Sequence, residues 1–148
     1  MRMIIIAVLL LLSMGSLSWS QEKTKETAEE QANYPNRVLF EQIRKYWEKQ
    51  EYHHLQSLLG KRVTINLGKY RGHYPTDQAI GILKAYFAEI EEIKLRYEVK
   101  KMQESRGVAT YQFRIKETGV LHKKVLYFYL QKDTADSQRW VLTHINEI

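Results

Sequence analysis

The sequence predicts an α+β domain, a strongly curved antiparallel sheet wrapped around about three N-terminal helices. Three observations point there. Apolar residues recur at helical spacing across residues 37–59 and again across 77–92. From Ile93 to the C-terminus the period switches to two, with polar and apolar residues alternating. The 148 residues are 44% hydrophobic and 27% charged, which suits one domain with its own core.

The first thirty residues read as an address and a tether. Arg2 gives a positive start, Ile4 to Leu12 is an unbroken apolar run, and Ser18 and Ser20 put small residues before Gln21. This is the pattern of a secretory signal peptide over residues 1–20, cut before Gln21. The run is too short to span a bilayer, which takes ~20 apolar residues. With no cysteine in the chain, a lipid-anchored N-terminus, disulfides and thiolate metal sites are excluded. Residues 21–32 contain no large apolar side chain and read as a flexible acidic leader, with the domain running from 33 to 148. The charge divides the same way. Of the formal +6, Arg2 carries one charge and residues 21–32 hold two Lys and four Glu, so 33–148 carries +7. Such a balance favours acidic partners.

Each element can be justified in turn. Leu39, Phe40, Ile43, Tyr46 and Trp47 form the apolar stripe of a first helix. Tyr52 to Leu59 reads as a second, shorter helix capped by Gly60. Val63, Ile65 and Leu67 alternate as a strand, and GKYRGHYP follows as a turn or short hairpin. Thr76 suits the N-cap of a third helix, whose buried stripe is Ala79, Leu83, Tyr86, Phe87 and Ile90. Ile93 to Lys100 and Ala109 to Lys116 then alternate as strands. A three-residue loop at Ser105–Gly107 would pair Val99 with Phe113 and Tyr97 with Ile115, with Glu98 opposite Arg114. Val125 to Leu130 is apolar on both faces and should be central and covered on both sides. Whether Tyr127 or Phe128 shares a face with Tyr111 is open, because the turn at Gly119 admits either register. Trp140 to Ile148 closes the sheet.

The stretch GKYRGHYPTDQAIGILKAYF, together with this order of elements and the closing strand, resembles the nuclear transport factor 2-like superfamily. More narrowly it resembles a secreted bacterial family known as Domain of Unknown Function 4783. The resemblance covers about Arg37 to Ile148. It implies a cone-like fold, often paired as a homodimer through the outer sheet face. It implies no one activity, because the superfamily mixes enzymes with binding domains.

Steroid isomerases of that superfamily use an Asp base inside the cone. Here Asp77 sits at a helix start, and Asp133 and Asp136 fall in a loop, so no Asp is inward and no carboxylate is expected there. Dehydratase-like members use His with Tyr, and His144 with Tyr127 or Tyr129 is the matching candidate. The plainer reading is a strand histidine bonded to a neighbour. His53 and His54 are adjacent on a helix and diverge around its axis, so no metal is expected. Arg96, Lys100, Arg114 and Lys116 should line one sheet face with Glu98 among them. Nucleic-acid surfaces interleave aromatics with such charges, and the aromatics are expected on the other face.

The expected function is therefore an exported, non-enzymatic domain. It would bind a small apolar or acidic ligand inside the cone, or a protein partner on its sheet, without cofactor, metal, nucleic acid or transmembrane segment. Trp47, Tyr86, Tyr111, Tyr127 and His144 are the candidate ligand-binding residues. The alternative is a small hydrolyase or isomerase using His144 and Tyr127 in the cone.

Overall fold

The computed structural model describes residues 34–148. The signal peptide, the cut before Gln21 and the acidic leader lie outside the described residues. Helix α1 spans Arg37–Glu48 and α2 Tyr52–Gln56. Strands β1 (Leu59–Leu67) and β2 (Tyr70–Pro75) form a hairpin through Gly68, at φ 53°, and α3 spans Thr76–Ala88. Strands β3 (Ile90–Tyr97), β4 (Arg106–Ile115), β5 (Leu121–Lys132) and β6 (Trp140–Glu147) complete one six-stranded sheet of order β2-β1-β6-β5-β4-β3. Among the described residues no helix is long and apolar enough to cross a membrane.

The helices form where the apolar stripes are. Phe40, Ile43 and Trp47 of α1 are buried, as are Ala79, Leu83, Tyr86 and Phe87 of α3. These stripes meet the alternating residues of the sheet, Val63, Ile65 and Leu67 of β1, Leu126, Phe128 and Leu130 of β5, and Leu142 and Ile145 of β6. The core therefore lies between the helices and one sheet face.

Several expectations are corrected. The sheet is mixed, because β6 inserts beside β1 and runs parallel to it, with Ile65 opposite Ile145. Parallel pairing needs a long connection, and the rest of the chain supplies it. Gly60 is no helix cap. It lies in β1, where a Cβ would sit 3.2 Å from the Thr143 methyl and 3.3 Å from Val141, so glycine lets β1 approach β6. Thr76 is the first helical residue, and its hydroxyl donates to the Gly60 carbonyl at 2.7 Å.

The β3–β4 register also differs. Tyr97 faces Ala109 and Leu95 faces Tyr111. A short 3₁₀ helix at Val99–Lys101 lengthens the connection, Glu98 binds Lys101 and Arg114 binds Glu92. The displacement is an even number of residues, so Leu95, Tyr111 and Phe113 keep the face expected of them. Phe128, not Tyr127, shares that face with Tyr111. β5 is central, but its second face is half-buried rather than covered, at Val125, Tyr127 and Tyr129.

Candidate functional site

Inside the domain, α1, α3, β4 and β5 converge on Trp47, which is fully buried. Its ring meets Phe87 at 5.0 Å, Phe128 at 5.4 Å, Tyr111 at 6.1 Å and Tyr86 at 6.4 Å between centroids. Three of these contacts are edge-on, the geometry that aromatic quadrupoles favour. Aromatic side chains thus occupy the space where a ligand would enter.

A polar string runs through this interior. The Tyr86 and Tyr111 hydroxyls lie 2.9 Å apart, and the Tyr86 hydroxyl donates to Oε2 of Glu147 at 3.2 Å. Lys124 reaches Oε1 of the same carboxylate at 3.4 Å, and the Glu147 side chain is only 6% exposed. A phenol has one proton. Tyr86 gives its own to Glu147, so Tyr111 must donate to the Tyr86 oxygen. The buried Trp47 indole N–H closes no hydrogen bond among the described residues. Burial pushes the Tyr86 phenol far above its ordinary range, and Tyr111 and Glu147 push it further. Burial also raises Tyr111. Both therefore stay neutral and act as donors, not bases.

His144 and Tyr127 are elsewhere. Leu142 and Ile145 both face the core although three positions separate them. A β-bulge at Thr143 makes this fit: Leu130 faces Leu142, whereas Tyr129 faces His144. The extra residue turns His144 to the outer sheet face and Glu147 to the inner one. The His144 ring meets Tyr129 edge-on at 5.8 Å, and its Nδ1 lies 3.0 Å from the Thr143 hydroxyl. Among the described residues no carboxylate contacts it. Tyr127 shares the outer face and lies beside Tyr129, centroids 6.4 Å apart and planes 17° apart. A depression of about 390 Å³ is lined here by Ser105, Tyr129, Leu130, Gln131 and His144.

The candidate residues thus divide. Trp47, Tyr86 and Tyr111 meet inside, while Tyr127 and His144 face away from them, so the pairing of His144 and Tyr127 within the interior does not form. Glu147 is the inward carboxylate that strict alternation hides. The signal for it was the spacing of Leu142 and Ile145, which only a bulge reconciles. Arg96 and Arg114 do share the outer face, but Lys100 belongs to the 3₁₀ helix and Lys116 follows β4. Tyr127 and Tyr129 share that face, Tyr129 opposite Arg106, which corrects the expectation that aromatics point only inward. Among the described residues no three His, Asp or Glu side chains gather as metal ligands.

No protein-family model matches the sequence, and no protein of curated function matches it significantly. Solved structures do match. A DUF4783 family protein from Bacteroides uniformis superposes with a TM-score of 0.54 at 13% identity, over 72% of this chain and 93% of that one. An NTF2-like protein of unknown function from Cytophaga hutchinsonii gives 0.56 at 10% identity, over 78% and 90%. The fold is nuclear transport factor 2-like. The resemblance seen in GKYRGHYPTDQAIGILKAYF thus agrees with the architecture, and a DUF4783 family protein is among the structures that share it. Nuclear transport factor 2-like proteins include enzymes: an LEH-like epoxide hydrolase from M. tuberculosis matches with a TM-score of 0.52 at 11% identity, over 74% and 78%. At these identities the likeness carries the fold and not the activity.

Proposed function

We propose that this chain is an exported, non-enzymatic binding domain that meets its partner on the outer sheet face rather than in its interior. The observation that carries this is the packing of Trp47 by Phe87, Phe128, Tyr111 and Tyr86, which fills the space a substrate would need. His144, the side chain best suited to proton transfer near neutral pH, lies on the other face without an orienting carboxylate among the described residues. Export is supported by the sequence of residues 1–20.

A second reading has its own observation. Two neutral phenols and a nearly buried carboxylate, Tyr111, Tyr86 and Glu147, are the groups a hydrolyase or isomerase would use if the interior opened. One assay separates the two. The full chain is incubated with epoxide, hydroxy-carbonyl and steroid-enone substrates beside His144→Ala, Tyr86→Phe and Glu147→Gln variants. The binding reading expects no turnover from any of them. Turnover by the native chain that disappears in a variant which still folds would overturn it.

A further inference from the structure

The outer face carries a pattern that neither the fold nor the interior requires. His73, Thr64, His144, Tyr129 and Arg106 are successive register partners across β2, β1, β6, β5 and β4. At ~4.8 Å between strands they form a strip about 19 Å wide. The next row holds Arg71, Asn66, Asn146 and Tyr127. Asn66 donates to Asn146 at 2.5 Å, which leaves amide groups of both free for a further hydrogen bond.

The charge on this face is one-sided. Arg71, Lys94, Arg96, Arg106, Arg114 and Lys123 occupy its register positions. Glu92 and Glu98 at the rim are held by Arg114 and Lys101, which leaves Glu91 as the opposing acid. Lys94, Arg96, Arg106 and Lys123 form no ion pair among the described residues, and Nε of Arg106 is buried with no hydrogen-bond partner. Two copies of the chain meeting through this face would oppose these cations, so the face is poorly built for pairing with itself.

We infer that the outer face binds an acidic polysaccharide. Charge complementarity selects an anionic partner, and arginines match carboxylate or sulfate groups bidentately. A width of several strands selects a polymer rather than a small ion. Tyr127 and Tyr129 are half-buried and lie against each other. An apolar ring body with a hydroxyl tip suits the mixed apolar and hydroxyl surface of sugars. The choice of polysaccharide also rests on the reading of the chain as exported.

The test is binding of the purified full chain to polygalacturonate and dextran sulfate. Neutral dextran, polyglutamate and a single-stranded oligonucleotide serve as competitors. The acidic polysaccharides should bind, and raising the salt should weaken them. Exposed Arg96→Gln with Lys123→Gln should weaken binding about fivefold, roughly half a kcal/mol for each surface charge, at unchanged melting temperature. Arg37→Gln with Lys49→Gln, on the helical side, should leave binding unchanged. No binding, equal binding of neutral dextran, or no effect of the Arg96 and Lys123 changes would overturn the inference. Tighter binding of the oligonucleotide or polyglutamate would overturn the choice of polysaccharide. Intact mass of the product recovered outside the cell tests export independently. A mass starting at Gln21 with no polysaccharide bound sinks this inference alone, whereas retention of residues 1–20 inside the cell sinks the export reading.

Discussion

Strong alkali should unfold this domain in a step that its buried phenols control. Tyr86, Tyr97 and Tyr111 each sit in the core or packed against it. Burial, the largest cause in all three, lifts their ionisation well above the ordinary tyrosine value. Tyr97 is further raised by Tyr34 and Glu41 nearby, and its hydroxyl donates to the Phe40 carbonyl at 2.6 Å. In the unfolded chain all three lose their protons near pH ~10. Above that pH the folded state holds protons the unfolded state has released, so each further rise favours unfolding. The stabilisation is complete below pH ~10 and is lost as pH climbs towards the folded values. Each group contributes ~1.4 kcal/mol per pH unit, so three together remove about 4 kcal/mol per unit. Against a stability of ~5–15 kcal/mol, unfolding should come within a few pH units above the onset. Phenolate absorbance and circular dichroism followed together during a base titration check this. Tyr86, Tyr97 and Tyr111 should ionise only as the dichroism collapses. Tyr111→Phe should flatten the decline, whereas an exposed Lys84→Gln change should not. Smooth ionisation of all ten tyrosines near pH ~10 with the dichroism retained would refute the reasoning.

Two further outcomes follow from the interior. Phe87→Ala opens a cavity against Trp47 and should cost ~3–5 kcal/mol, lowering the melting temperature by roughly 12–20 °C at about 4 °C per kcal/mol; a melt like that of the native chain would mean α3 is turned differently. Tyr86→Phe removes the middle of the polar string and leaves both Tyr111 and Glu147 short of a partner, so it should cost ~2–3 kcal/mol, against ~1 kcal/mol for Tyr111→Phe at the string's end. Equal costs in chemical denaturation would show that the contact of Tyr86 with Glu147 adds nothing to stability.

What the sequence discloses is the identity of the faces, and what it hides is the register. The stripe of Phe40, Ile43 and Trp47 and the alternation of Leu95, Tyr111 and Phe113 are local patterns, and the core follows them. Thr143 is a residue of no special type. Its effect comes from being the unpaired residue between Leu142 and His144, its hydroxyl donating to the Tyr129 carbonyl, so the reversal that puts His144 outside and Glu147 inside is invisible along the chain until both flanking apolar residues are required to face inward. Glu92 is similar: a positive φ of 51° at a glutamate accompanies the bulge in β3, and Arg114 holds its carboxylate. The parallel contact of β1 with β6 joins residues about eighty positions apart, beyond the reach of any periodicity. The outward place of His144 follows from the Thr143 bulge, and that of Tyr127 from the β4–β5 register beyond the turn at Gly119.

The position of β6 has a consequence for how the chain acquires its structure. The β1–β2 hairpin and the β3–β4–β5 meander have no strand pairing with each other; each is joined to the rest of the sheet through β6. The strand that bridges them is the last of the six in chain order. Until residues 140–147 are available, Val63, Ile65 and Leu67 have no neighbour on the β6 side of their strand, and the two parts remain separate apart from their helices. Closure of the sheet is then a single long-range event that waits for β6, slow for its size and sensitive to loss of residues 140–147 in a way that loss of an edge strand would not be.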